Sequence, residues 1–269
     1  MKVGITLRNM GPAAETSILG ACARAADESA LDSVWVMDHV AIPPDDAEGS
    51  GGLYLEILAT LAFLAGHTRR IAIGSGVLVL PYRPPLLTAR SLASIQALSG
   101  NRLLVGAGIG WMDAEFRVLG LDRAQRGRQS DETLAFIHDC FSRETMAANG
   151  QPFLFRPRPP RPPLYIGGKA PHALARAVKY GDGWFPMAAD LAQLRADVDT
   201  YRELAREAGR EEPEVVTFGQ VPLEDTAAAQ EQMAAYREAG VTHYIHGVRY
   251  DQPESFLDTV AALDRLLTN

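Results

Sequence analysis

The chain alternates between short apolar runs and longer segments in which apolar residues recur every three to four positions. The first pattern predicts buried strands, and the second predicts amphipathic helices that cover them. The predicted strands are residues 3–7, 33–37, 71–79, 103–105, 164–166, 184–186, 214–218 and 242–246. The predicted helices are residues 16–30, 55–67, 84–98, 130–141, 171–180, 190–208, 227–239 and 253–267.

Eight strand–helix units follow one another without a break in composition, which predicts one domain over residues 1–269. This alternation implies parallel strands joined by right-handed crossovers. Eight units in about 250 residues is the size of a (β/α)₈ TIM barrel. An open, doubly wound sheet is the alternative. The barrel is favoured because closure gives every strand a partner on both sides.

Two connections stand out from this repeat. Residues 41–53 are rich in glycine and proline and carry Asp45, Asp46 and Glu48, which predicts a mobile lid over the active site. Residues 152–163 are rich in proline and must be largely extended, so we expect a stiff strap across the outside of the domain. A ligand for a proline-binding domain is the alternative interpretation of that strap.

Composition narrows the possible partners and locations. The formal net charge of −7 argues against a nucleic-acid surface, which would need a basic face. Two cysteines are too few for a disulfide framework, and we expect both to be buried as small apolar residues. No apolar run approaches the roughly 20 residues of a membrane span. The N-terminus runs directly into a strand pattern without a signal peptide, so a cytoplasmic location is the default expectation.

In a barrel the active site lies at the carboxyl ends of the strands. The second predicted strand is followed by Asp38 and His39. Histidine exchanges a proton near neutral pH, which makes His39 the leading candidate for acid–base chemistry. The alternative is that His39 only packs at the rim. Glycines 106, 108 and 110 follow the fourth strand, where they either let a ligand approach the backbone or serve packing alone.

A loop and a pair of carboxylates add to these candidates. Gly167, Gly168 and Lys169 precede a predicted helix, and a glycine loop at a helix N-terminus is an anion site, although a tight turn is the alternative. Asp113 and Glu115 are interpreted as charges at a helix start, with a catalytic role as the alternative. No cluster has the ligand spacing of a known metal motif, so no metal is predicted.

Three longer stretches carry a resemblance. They are GAGIGWMDAEFRVLGLDRAQRGRQSDETL at residues 106–134, PPLYIGGKAPHALARAVKYGDGWFP at residues 162–186, and VWVMDHV at residues 34–40. Together they resemble the bacterial-luciferase-like superfamily of flavin monooxygenases and deazaflavin-dependent oxidoreductases. The chain looks most like its F420-dependent oxidoreductase branch. In one respect it departs from the superfamily's sugar-phosphate dehydrogenases, which carry a catalytic glutamate where this chain has Ile109-Gly110-Trp111, so that activity is not expected.

The resemblance implies roles for specific residues, with Asp38 and His39 facing the cofactor ring as the catalytic candidates. The Asp38 carboxylate would hydrogen-bond the cofactor or, as the alternative, help to fix the local turn. The resemblance further implies a bulge with a cis peptide bond between Gly76 and Val77 behind the cofactor ring. The remaining implied cofactor contacts are Gly106, Ala107 and Gly108 beside the ring and Gly167, Gly168, Lys169 and Ala170 at the phosphate.

The implied function is a flavin- or deazaflavin-dependent oxidoreductase of luciferase-like TIM-barrel fold. It would use reduced coenzyme F420 or FMN to transfer hydride to a small organic substrate, or to activate oxygen. A non-catalytic flavin-binding protein of the same fold is the alternative. A metal-dependent or lyase barrel that shares only its strand endings is a third. We expect a homodimer with no nucleic-acid or membrane partner.

Overall fold

Strands and helices alternate along the chain as the apolar pattern predicts. The structure, a computed structural model, describes residues 1–187, 190–211 and 213–268. The strands are β1 (Lys2–Thr6), β2 (Ser33–Val36), β3 (Ala72–Val79), β4 (Leu103–Gly108), β5 (Thr145–Ala148), β6 (Gln151–Leu154), β7 (Leu164–Gly167), β8 (Gly183–Phe185), β9 (Glu214–Gly219) and β10 (His243–His246). The helices are α1 (Thr16–Glu28), α2 (Ile57–His67), α3 (Pro85–Leu98), α4 (Asp113–Val118), α5 (Arg126–Ser142), α6 (His172–Tyr180), α7 (Leu191–Glu207), α8 (Thr226–Glu238) and α9 (Pro253–Thr268).

Eight of the strands form a closed parallel barrel in the order β1-β10-β9-β8-β7-β4-β3-β2. This confirms the TIM-barrel prediction, and the open sheet is wrong. Successive side chains along a strand point to opposite faces. Trp35, Phe185 and Ile245 belong to the group that fills the barrel interior, while a second, larger apolar layer joins the strands to the helices.

The connection between α5 and β7 differs from the prediction. Instead of a strap that begins at residue 152, β5 and β6 form an antiparallel hairpin across Asn149 and Gly150, with Ala148 opposite Gln151. Both turn residues have positive φ, at 51° and 77°, which is the geometry of a two-residue hairpin turn and favours Asn-Gly. Pro152 hides this signal in the sequence, because it belongs by composition to the proline-rich stretch, yet proline is tolerated in an edge strand such as β6.

Beyond the hairpin the chain runs along α3 as an extended strap. The Arg90 guanidinium lies 4.4 Å from the centre of the Phe155 ring and donates to the carbonyl of Leu154. The side-chain amide of Gln96 donates to the carbonyl of Pro160 at 3.1 Å. These contacts hold the strap to the outside of the barrel, where it was predicted to lie.

Other local features also agree with or modify the sequence predictions. The Gly76–Val77 peptide bond is cis, and the β3–β4 register shifts between Ser75 and Leu78, so the predicted bulge is confirmed. Helix α5 begins at Arg126, four residues before its predicted start at Ser130, and α4 precedes it. Cys22 and Cys140 are free and buried, as predicted. No helix in the described ranges is long and apolar enough to span a membrane.

Candidate active site

His39 stands at the carboxyl end of β2, on the rim formed by the carboxyl ends of the barrel strands, which we call the mouth. Its Nδ1 lies 3.3 Å from Oε2 of Glu115, and its side chain is 20% exposed. Because an ionised carboxylate can only accept, this contact places the proton on Nδ1. Nε2 has no partner among the described residues and is left to exchange a proton. The rings of Tyr54 and Trp111 flank the imidazole, at 5.0 and 6.3 Å between centroids.

The buried carboxylate of Glu115 fixes the position of residues 39–41. Its carboxylate accepts hydrogen bonds from the amides of Val40 at 2.6 Å and Ala41 at 3.1 Å, and from the Tyr82 hydroxyl at 2.8 Å. Its side chain is 1% exposed. Burial alone would raise the pKa of Glu115. The hydrogen bonds from His39, the two amides and Tyr82 outweigh burial and lower this pKa to about 2.

Asp113 and Glu115 both lie in the first turn of α4, as predicted, but only Asp113 is an exposed charge there, paired with Arg123 at 3.0 Å. The Glu115 carboxylate is instead buried and engaged by His39, the two amides and Tyr82. One sequence signal could have separated the two. Met112, Glu115 and Phe116 share one face of a helical repeat, and both apolar members are buried, so the glutamate between them is buried with them.

The depressed pKa of Glu115 predicts a loss of stability in acid. The ordinary value is 4.5, so between that pH and about 2 the folded protein binds fewer protons at this site than the unfolded chain does. The stabilisation is complete above pH 4.5 and is lost as the pH falls towards 2. It amounts to about 3 kcal/mol. Denaturant unfolding of the wild type and Glu115→Gln across this range measures it.

We expect the wild type to lose this stability in acid and Glu115→Gln to lack that part of the pH dependence. Asp113→Asn is the matched control, because Asp113 lies on the same helix with its side chain 62% exposed. The interpretation fails if Glu115→Gln and Asp113→Asn show the same pH dependence.

Asp38 faces away from the mouth. Its carboxylate accepts two hydrogen bonds from the Arg83 guanidinium, at 2.7 and 2.8 Å, and one from the amide of Val79 at 2.8 Å. Its side chain is fully buried. Burial raises the pKa of the Asp38 carboxyl against the opposing effect of Arg83. This geometry does not fit the catalytic and cofactor-binding roles expected of Asp38, and it agrees with the alternative that the carboxylate fixes the local turn, because it ties the end of β2 to the end of β3.

The predicted ring-side glycines have a packing reason that the sequence did not reveal. A Cβ on Gly108 would lie 2.4 Å from Cγ2 of Val77, and one on Gly167 would lie 3.1 Å from its Cγ1. A Cβ on Gly106 would lie 2.3 Å from the Ser75 carbonyl oxygen. Glycine at these positions lets the bulge present the half-buried Val77 at the mouth.

The other implied ring contacts are buried. Gly76, Gly106, Gly108 and Gly167 are buried, and Ala107 is buried on the outer, helix-facing layer. The implied cofactor contacts that remain accessible are Val77, Gly168, Lys169 and Ala170. Direct contact of the buried residues with a cofactor stays a prediction.

Residues 167–170, the anion loop, lead into the N-terminus of α6. The amide of Gly168 is occupied, because it donates to the Phe185 carbonyl at 3.2 Å. Within the part of the chain that the structure describes, the amides of Lys169, Ala170 and His172 have no acceptor. Three free N–H groups at a helix N-terminus fit an anionic group such as the phosphate of FMN or coenzyme F420.

A cleft of about 940 Å³ opens over the ends of β1, β9 and β10. Its floor is mostly apolar, with Met10, Met37, Phe218 and Val248, and Arg8 and Arg249 lie among its polar residues. Glu48 and Gly49 of the predicted lid also line it, and Arg8 donates to the Gly49 carbonyl at 2.8 Å. Residues 41–53 thus border the mouth as predicted, and their mobility stays a prediction.

His246 does not reach the mouth. Its neighbour Ile245 points into the barrel with Trp35 and Phe185, so strand alternation turns His246 towards the helix layer. Burial there lowers the pKa of His246. His39 has the placement that acid–base chemistry at the mouth requires.

Two proteins of Mycobacterium tuberculosis are similar in sequence to most of this chain. An uncharacterised protein of Mycobacterium tuberculosis is 29% identical over 209 residues, which cover 71% of this chain and 72% of that protein. The F420-dependent hydroxymycolic acid dehydrogenase of the same species is 29% identical over 248 residues, which cover 88% of this chain and 66% of that protein.

Two solved structures show the same fold at low identity. The monooxygenase RslO1 from Streptomyces bottropensis superposes with a TM-score of 0.82 at 18% identity, covering 100% of this chain and 99% of that one. The second structure is the oxygenating constituent of 3,6-diketocamphane monooxygenase from Pseudomonas putida, in complex with FMN. It superposes with a TM-score of 0.77 at 14% identity, and the match covers 98% of this chain and 97% of that one.

The resemblance noted in the sequence is also confirmed by a family model. The model of luciferase-like monooxygenases matches residues 1–265, nearly the whole chain. With the barrel and its mouth described above, this match identifies the chain as a member of the luciferase-like monooxygenase family.

Proposed function

We propose that this protein is an oxidoreductase that acts on a small organic substrate with a reduced flavin-type cofactor, either coenzyme F420 or FMN. The observation that carries the proposal is the His39–Glu115 pair. It places an imidazole with a free Nε2 at the mouth, beside the aromatic rings of Tyr54 and Trp111. Hydride transfer and oxygen activation both need a group that gives or takes a proton at the reacting centre.

Different residues would hold the phosphate of the cofactor, its ring and the exchanged proton. The anion loop would hold the cofactor phosphate on the amides of Lys169, Ala170 and His172. Val77 would support the ring from the floor of the mouth. When bound, the cofactor supplies the hydride or oxygen chemistry. His39 would hold the proton that this chemistry exchanges, with its ring fixed by Glu115.

The substrate would lie in the cleft over β1, β9 and β10. This cleft contains none of the residues assigned to the cofactor, so the two ligands can occupy the mouth together. Its mixture of apolar floor and polar rim suits a small organic molecule. The residues 48 and 49 at its edge would then restrict access of water. A homodimeric, cytoplasmic protein remains part of this proposal.

Calorimetric titration of the purified protein with FMN, coenzyme F420 and riboflavin tests the proposal. We expect FMN or F420 to bind and riboflavin, which lacks the phosphate, to bind more weakly. The F420-dependent relative and the FMN-bound structural neighbour support a cofactor of this class. The proposal fails if neither FMN nor F420 binds.

Turnover then separates an enzyme from a flavin-binding protein. The loaded and reduced protein is mixed with candidate ketones, aldehydes and sulfides, and reoxidation of the cofactor is followed with and without oxygen. We expect substrate-dependent reoxidation. Tight binding without substrate-dependent reoxidation across the panel would favour the non-catalytic alternative.

A further inference from the structure

A groove of about 470 Å³ lies between α5 and α6 on the outside of the barrel. Its lining includes Ile109 and His172 at the end nearer the mouth, and Arg126, Asp131, Arg176 and Lys179 along its walls. We call it the basic groove. Its lining shares only His172 with the residues proposed to hold the cofactor, and it shares none with the substrate cleft.

The groove is positive in a protein that is otherwise acidic. Three cations, Arg126, Arg176 and Lys179, face it against the single carboxylate of Asp131. That carboxylate is engaged, because Arg176 Nε donates to its Oδ1 at 2.6 Å. Arg126 and Lys179 are left to meet a ligand, although the whole chain carries a net charge of −7.

Arg126 gives a second and independent indication of a ligand. Its Nε is buried and has no acceptor among the described residues. Its Nη1 donates to the carbonyl of Arg123 at 3.1 Å. A buried donor without a partner is costly, and most such groups in proteins are satisfied. The Nη2 of the same guanidinium also has no acceptor among the described residues, and it is this accessible end of the side chain that can meet an anion in the basic groove.

The position of the groove relates it to the cofactor. His172, which begins α6 and whose amide belongs to the free set at the anion loop, also lines the groove. From His172 to Lys179 the helix rises by roughly 10 Å. A chain that leaves the anion loop could therefore follow α6 past Arg126 and Arg176 to Lys179.

We propose that the basic groove binds the carboxylates of the oligoglutamate tail of coenzyme F420, and so makes F420 the preferred cofactor. FMN ends at its phosphate and has nothing to place there. F420 continues beyond its phosphate through a lactyl group into a chain of glutamates, each of which adds a negative charge. This inference rests on the proposed function, since the tail enters the groove only when the ring occupies the mouth.

Binding affinity, rather than turnover, tests the proposal. The wild type, Arg126→Gln, Lys179→Gln and the double variant are titrated calorimetrically with F420 carrying one glutamate and F420 carrying five or more. We expect the wild type to bind the long-tailed form roughly five- to thirty-fold more tightly. This preference should shrink at high salt, because the ion pairs are partly exposed.

The variants should lose the preference while they bind the one-glutamate form almost as the wild type does. Arg128→Gln is the matched control, because Arg128 lies on the same helix but pairs with Glu132 at an exposed site. It should keep the full preference. The single variant Lys179→Gln should fold like the wild type, because Lys179 is exposed on the surface of α6. A loss of preference in this variant therefore cannot be attributed to misfolding.

Two results would overturn the inference and leave the proposed function standing. One is equal affinity of the wild type for F420 with short and long tails, and the other is a full preference for the long tail in the double variant. If the wild type binds neither FMN nor any form of F420, the proposed function fails and the inference fails with it.

Discussion

Replacing His39 with alanine is expected to lower kcat by roughly 10²–10⁴-fold, the usual loss when a general acid or base is removed. Cofactor affinity should stay within a few-fold of the wild type, because the anion loop and Val77 are untouched. The physical reason is that Nε2 of His39 is the free proton-exchanging atom at the mouth, while Nδ1 is held by Glu115. Steady-state kinetics at saturating cofactor measures the effect.

The competing interpretation is that His39 only packs at the rim. In that case His39→Ala would lose stability while the folded fraction kept its kcat. His67→Ala is a suitable control, since His67 ends α2 at the surface and its ring stacks on Phe63. A folded, cofactor-saturated His39→Ala protein with wild-type turnover would exclude the catalytic assignment.

Replacing Arg83 with methionine is expected to cost about 3–5 kcal/mol of unfolding free energy, the typical penalty for breaking a buried ion pair from one side. Arg83 makes both hydrogen bonds that neutralise the buried Asp38, and it also donates to Oε1 of Glu56 at 2.7 Å. Methionine preserves much of the bulk and removes the charge. Equilibrium denaturation of purified variants provides the measurement.

Two further variants make this result specific. Arg128→Met repeats the substitution at an exposed pair and should change stability by less than about 1 kcal/mol. The double variant Asp38→Asn, Arg83→Met should be more stable than Arg83→Met alone, because it no longer buries an unpaired carboxylate. If Arg83→Met and Arg128→Met unfold alike, the Asp38–Arg83 pair does not stabilise the fold.

The barrel was predictable because each strand and helix has a local signature of apolar spacing that needs no distant partner. Strand order then followed from the preference for right-handed crossovers. The Asn149-Gly150 hairpin was equally local, yet Pro152 concealed it. His39 was found because a residue directly after a barrel strand falls at the mouth.

Long-range polar partners were not predictable in the same way. Glu115 is 76 residues from His39 along the chain, and Arg83 is 45 residues from Asp38. No local pattern specifies which carboxylate meets which cation across the barrel. The glycines show the same limitation, because Gly108 is required by Val77, a neighbour on the adjacent strand that sequence alone does not place.

Trp111 gives the mouth a built-in optical reporter. The chain has three tryptophans, of which Trp35 and Trp184 are buried at 0% and 1% exposure while Trp111 is 65% exposed. Acrylamide in solution therefore reaches the indole of Trp111 and leaves the emission of the other two almost unquenched. The Trp111 ring centroid lies 6.3 Å from that of His39, so the quenchable part of the emission comes from the rim of the mouth. A ligand that enters the mouth would shield this indole, and its occupancy could be followed in the native protein without a label.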